Sequence, residues 1–215
     1  MKLEIGESLI YTWLKHVKDC HIVQLNWKAS PTWTLKDEEL LEKLKNEAEL
    51  VFTEKYGLAL FKQGKTKQLI GQGETDVVGI NFKEDGPFLY AVDVAFHESG
   101  LNYQSKEDTI VNVSKKCIRT AMCLMGYFDI PQGEIIFASP KTPPSWRSAL
   151  VDAMDTVNEI FQSQGLQYKA RLICDDAFKQ EILDPVLGIS KKVADTSELF
   201  LRGMQLYKMF YPMQK

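Results

Sequence analysis

The chain has 215 residues, 45% of them hydrophobic and 11% aromatic, enough for one large domain with a sizeable core, which excludes intrinsic disorder and a small disulfide-stapled scaffold. Its 26 Lys and Arg against 29 Asp and Glu leave a formal net charge of −3. No global positive field gathers nucleic acid or anionic lipid, so any nucleic-acid binding must use a local basic patch.

The N-terminal stretch MKLEIGESLIYTWLKHVK is broken by Glu4, Glu7 and Lys15, unlike a signal peptide, and no apolar run approaches the roughly 20 residues that span a bilayer. A folded, cytoplasmic protein without a membrane segment is expected. Residues 7–18 put Leu9, Ile10, Trp13, Leu14 and Val17 on one helical face, and HIVQLNW at 21–27 reads as a strand. A charged helix follows from about Lys36 to Tyr56, with Leu40, Leu41, Leu44, Ala48, Val51 and Phe52 as its apolar stripe and Gly57 as a stop. LALF at 58–61 reads as a short strand. TDVVGINF at 75–82 and PFLYAVDVAFHE at 87–98, joined by KEDG, read as a hairpin.

Helical periodicity returns from about Glu107 to Tyr127, EIIFAS at 134–139 is a strand, and Ser145 caps a helix carrying Trp146, Leu150, Met154, Val157 and Phe161. YKARLIC at 168–174 is a strand leading to a helical C-terminal region, where Leu199, Phe200, Met204, Leu206, Tyr207, Met209 and Phe210 suit core or homodimer contacts. The order defines an α/β protein with a mixed central sheet flanked by helices: one unit spanning 1–215, with its core at about 1–140 and a helical extension at about 141–215. Cys20, Cys117, Cys123 and Cys174 are widely spaced without a CxxC pair, so buried free thiols rather than a zinc site are expected.

The chemistry concentrates in the hairpin. Side chains alternate along a strand, so Asp93 shares a face with Ala95 and His97, opposite Val92, Val94 and Phe96. A carboxylate inside an apolar strand requires a partner, a metal or water, and Asp76 poses the same requirement on the neighbouring strand. Pairing across KEDG would bring Asp76, Asp93, Glu74 and His97 to the mouth of one cleft, and convergent oxygen ligands suit Mg²⁺. Each Asp also has an ordinary structural reading as a capped or paired residue.

With these motifs, GETDVVG and YAVDVAFHE behind an N-terminal helix and ahead of a crossover helix and strand, residues 1–140 resemble the PD-(D/E)XK (restriction-endonuclease-like) nuclease superfamily. The resemblance implies that Asp76 and Asp93 hold a divalent metal, that Glu7 is an accessory acid, and that nucleic-acid phosphodiesters are the substrate. The family's lysine falls at Ala95, a departure. Some members of the superfamily carry that lysine on the following helix, where this chain has Lys115 and Lys116, and His97 is a second substitute.

A catalytically inactive module that binds nucleic acid or a protein through the same fold is the competing reading, and a metal-free acid–base enzyme built on Asp93 and His97 is a third. FKQGKTKQ offers Lys62, Lys65 and Lys67 to a phosphate backbone, or else forms a solvated loop. HESGLNYQSKEDT, directly after the Asp93 strand, suits a binding loop or a self-satisfied turn.

Overall fold

Strand alternation and helical stripes together build a five-stranded sheet covered on both faces, in a computed structural model that describes residues 4–61, 65–71, 73–193 and 196–211. In chain order the elements are α1 (Ile5–His16), β1 (Ile22–Lys28), α2 (Glu38–Tyr56), α3 (Thr66–Gly71), β2 (Glu74–Lys83), β3 (Gly86–Val94), α4 (Lys106–Phe128), β4 (Gln132–Ser139), α5 (Pro144–Ser163) and β5 (Gln167–Cys174). There follow α6 (Asp175–Phe178), a π-helical turn (Lys179–Leu183), α7 (Asp184–Ile189) and α8 (Leu199–Phe210).

The sheet order is β1-β2-β3-β4-β5. The first three strands form an antiparallel meander, while β4 and β5 join parallel to β3 through the crossover helices α4 and α5. The β2–β3 turn is tight, because Lys83 pairs directly with Gly86, whose φ of 113° only glycine adopts readily.

The two faces of the sheet bury different sets of side chains. Val78, Leu89, Ala91, Ile135, Phe137 and Ala170 pack with the apolar faces of α2, α4 and α5. Val77, Tyr90, Val92, Ile136, Ala138 and Ile173 pack with α1, α6, the π-helical turn and α7. No described helix is long and apolar enough to cross a membrane. All four cysteines are free and buried.

Two expectations are corrected. Leu58–Phe61 forms no strand: Leu60 and Phe61 are buried, and their backbone N–H groups donate to the Glu49 carboxylate at 3.0 and 2.7 Å, so an α2 side chain stands in for a neighbouring strand. Strand β3 ends at Val94 rather than Glu98, because the chain turns at His97, whose carbonyl accepts the Gly100 N–H at 3.0 Å. On α8, for which core and homodimer contact are both expected, only Leu201 is buried, and Leu199, Leu206, Tyr207, Met209 and Phe210 are exposed and so do not belong to the core.

Candidate active site

Asp76 lies where the β2–β3 ladder opens. Val77 pairs with Val92 and Val78 with Ala91, and at the next position the Asp76 carboxylate accepts the Val94 N–H at 2.7 Å, a bond that would otherwise need a backbone carbonyl. On the other side of β2, Val77 pairs with Leu25 and Thr75 with Trp27, and between them Asn26 takes a left-handed φ of 50°. Its amide reaches Oε2 of Glu7 on α1 at 3.4 Å.

Asp93 lies on the sheet face that α4 covers, between Ala91 and Ala95, with only 3% of its surface exposed. Two α4 side chains answer its charge: Lys116 Nζ at 3.2 Å from Oδ1 and Thr120 Oγ1 at 3.4 Å from Oδ2. They are four residues apart and therefore stacked on one helical face. The helix is started by Ser105, whose hydroxyl accepts the Asp108 N–H at 3.0 Å, with Glu107 and Asp108 in the positive first turn.

Burial, and then the neighbouring Asp93 charge, push the Asp76 carboxyl up to about 6; the Val94 N–H and Lys116 work against the rise, and Glu7 adds to it. Burial disfavours the Lys116 ammonium, yet Asp93, Tyr103 and Asp76 outweigh it and hold its pKa above the ordinary value. Burial also raises the Tyr103 phenol, which feels Lys116, Asp93 and Asp76. Asp76, Asp93, Lys116, Thr120 and Tyr103 therefore form one electrostatically connected cluster, with Glu7 at its edge.

The remaining expected residues fall elsewhere. His97 is exposed and lies beyond the end of β3, so its expected place on the Asp93 strand face is not realised, which removes the geometric basis of an Asp93–His97 acid–base pair. Glu74 is exposed at the start of β2. Glu7 is buried, and its carboxylate accepts the Glu4 N–H at 3.3 Å, closing the first turn of α1. Lys62 lies outside the described residues. Lys65 and Lys67 are exposed and line a cavity of about 580 Å³ together with Glu38 and Glu42, so acids face these lysines. A second cavity, of about 390 Å³, is lined by Leu40, Met125, Ile130 and Tyr168 with Asp37 and Asp129, and by neither Asp76 nor Asp93.

Thr120 and Tyr103 were not singled out by sequence reasoning for this cluster. The spacing of four from Lys116 is the signal that would have found Thr120. Among the described residues no group of three or more His, Cys, Asp or Glu side chains is placed to hold a metal ion. The chain matches no family model, no curated protein and no solved structure. Chemically, the cluster offers two carboxylate donors, an ammonium and a hydroxyl at the end of one strand pair. Only the two carboxylates and the hydroxyl present oxygen lone pairs; the ammonium is a cation that offsets their charge.

Proposed function

We propose that the protein is a divalent-metal-dependent nuclease with a restriction-endonuclease-like core, hydrolysing nucleic-acid phosphodiesters at Asp76, Asp93 and Lys116. The observation that carries this reading is the reach of Lys116 from α4 to Asp93, 3.2 Å away, which puts an ammonium at the second acid although Ala95 occupies the usual lysine position. The order α1, β1, β2, β3, α4, β4, with α2 and α3 inserted between β1 and β2, with β1–β3 antiparallel and β4 parallel to β3, supports it as well.

Asp76 and Asp93 would hold the ion, with Glu7 near enough in charge to tune Asp76. When bound, Mg²⁺ supplies charge neutralisation at the scissile phosphate and a water of lowered pKa. The residues of the chain do the rest. Val94 fixes the Asp76 carboxylate through its N–H, and the charged form that burial and Asp93 oppose in the metal-free protein would be favoured by a bound cation. Lys116, kept protonated beside Asp93, would donate to a phosphate oxygen and offset the charge that develops there, while loss of the attacking water's proton to solvent would be favoured by the metal.

The second reading is an inactive module that binds nucleic acid or a protein. It is favoured by the same ion pair seen differently: Lys116 already answers Asp93, and no cluster of three ligating side chains is preformed among the described residues. Calorimetric titration of the purified protein with Mn²⁺, well above the Asp76 pKa, separates the two. The nuclease reading expects saturable binding that Asp93→Asn weakens about tenfold or more. A titration without heat, or one unchanged by Asp93→Asn, would remove the metal site.

A further inference from the structure

A guanidinium stays charged at any accessible pH, so an N–H of it that leaves water needs an acceptor. Arg171 has Glu181 at 2.7 Å and Glu134 at 3.3 Å, and Arg147 has Asp175 at 3.8 Å. Arg119 has no such partner among the described residues, and its Nε is buried without a hydrogen bond. The groups around it do not supply the missing charge. Cys123 is a neutral thiol, since burial pushes its pKa up to about 12. The Ile70 carbonyl already accepts the Gly73 N–H at 2.8 Å and the Cys123 thiol at 3.6 Å. Glu74, the acid that follows Gly73, is exposed.

The position of Arg119 ties it to the carboxylate cluster. It lies three residues beyond Lys116 on α4, so the two side chains are neighbours on the helix surface. It is also held against the segment that opens β2. A side-chain carbon at Gly73 would lie 3.7 Å from Arg119 Nε and 2.7 Å from Cys123 Sγ, so only glycine lets this backbone approach α4 so closely. Gly73 precedes Asp76 by three residues. The unpaired guanidinium therefore stands at the side of the cluster where β2 begins.

We infer that Arg119 is an anion receptor that takes a phosphate of the nucleic-acid backbone adjoining the one presented to Asp76, Asp93 and Lys116. The inference rests on the nuclease reading and names the residue that sets the register of the strand. A guanidinium fork suits this task, since it bonds two phosphate oxygens at once where an ammonium offers a point charge. Arg119 is half-buried, and its enclosed Nε without an acceptor costs stability in the free protein, which separates a receptor from a structural residue.

The test measures binding of a labelled single-stranded or duplex oligonucleotide in Ca²⁺ by wild type, Arg119→Met and Arg119→Lys, together with the thermal midpoint of each. Arg119→Met is expected to weaken binding about tenfold and to lower the salt slope by about one, with Arg119→Lys in between. Its thermal midpoint should equal or exceed that of wild type. If wild type binds and Arg119→Met binds equally well, the receptor role is overturned while the nuclease reading stands. A lowered midpoint with unchanged affinity gives Arg119 a structural role and also overturns the inference. Absence of binding by wild type would overturn both readings.

Discussion

Lys116 Nζ sits 3.2 Å from Oδ1 of Asp93, joining residues 23 positions apart, one on the sheet and one on the helix that covers it. Asp93 is nearly enclosed, whereas the Lys116 side chain keeps 31% of its surface exposed. The pair is thus solvated on one side only. Removing the ammonium leaves a buried carboxylate with Thr120 alone.

Lys116→Met is therefore expected to destabilise the metal-free protein by about 1–3 kcal/mol, whereas Lys115→Met should stay within about 0.5 kcal/mol of wild type. Adding Asp93→Asn to Lys116→Met should recover part of the loss. Urea unfolding of the four proteins measures this, and equal losses at the two lysines would show that the ion pair does not form.

Asp76 gives a pH signature with a defined sign. Burial and Asp93 hold its carboxyl near 6 in the folded protein, above the ordinary aspartate value of 3.8, so the native state binds a proton that the unfolded chain releases. Stability contributed by this group is present at low pH, falls as the pH rises between those two values, and stays lowered above them. Asp76→Asn keeps an oxygen for the Val94 N–H and removes the charge. The metal-free variant is expected to be more stable than wild type by about 1–3 kcal/mol at neutral pH, with the gain vanishing below about pH 4. A gain independent of pH would place the Asp76 carboxylate in water.

The register that positions Asp93 beside Phe137 depends on a glycine. Leu89 pairs with Gly133 at the other end of the β3–β4 ladder, and a side-chain carbon at Gly133 would collide with the Leu89 carbonyl oxygen and lie 3.1 Å from its carbon. Gly133→Ala is expected to cost about 3 kcal/mol. Gly203→Ala, in the exposed interior of α8 with no atom within 4 Å, should instead stabilise by about 0.5 kcal/mol. Thermal unfolding compares them, and a neutral Gly133→Ala would contradict the parallel β3–β4 pairing.

Much of this arrangement is legible in the sequence because strand alternation is a strict rule. It places Asp93 with Ala91 and Ala95 on one face, and the short turn before Gly86 makes Asp76 its neighbour across the hairpin. The choice between Lys115 and Lys116 is not legible, since it depends on the rotation of α4 about its axis, which its packing on the sheet and α5 determines. His97 misleads for a related reason: alternation holds only while the strand lasts, and β3 ends three residues earlier. The apolar run 58–61 has strand composition but pairs with no strand, and the Glu49 carboxylate takes the Leu60 and Phe61 amides. Arg119 carries no local signal, because its isolation follows from the close approach of Gly73 to α4.

Single-turnover cleavage of labelled DNA and RNA in Mg²⁺ and Mn²⁺, at a pH well above the Asp76 value of about 6, tests the nuclease reading most directly. Wild-type protein is expected to cleave at least one substrate only when metal is added. Asp93→Asn should abolish that cleavage with the fold intact, and Lys116→Ala should slow it about a hundredfold. Failure of the wild type to cleave either substrate in either metal, or full activity of Asp93→Asn, would contradict it.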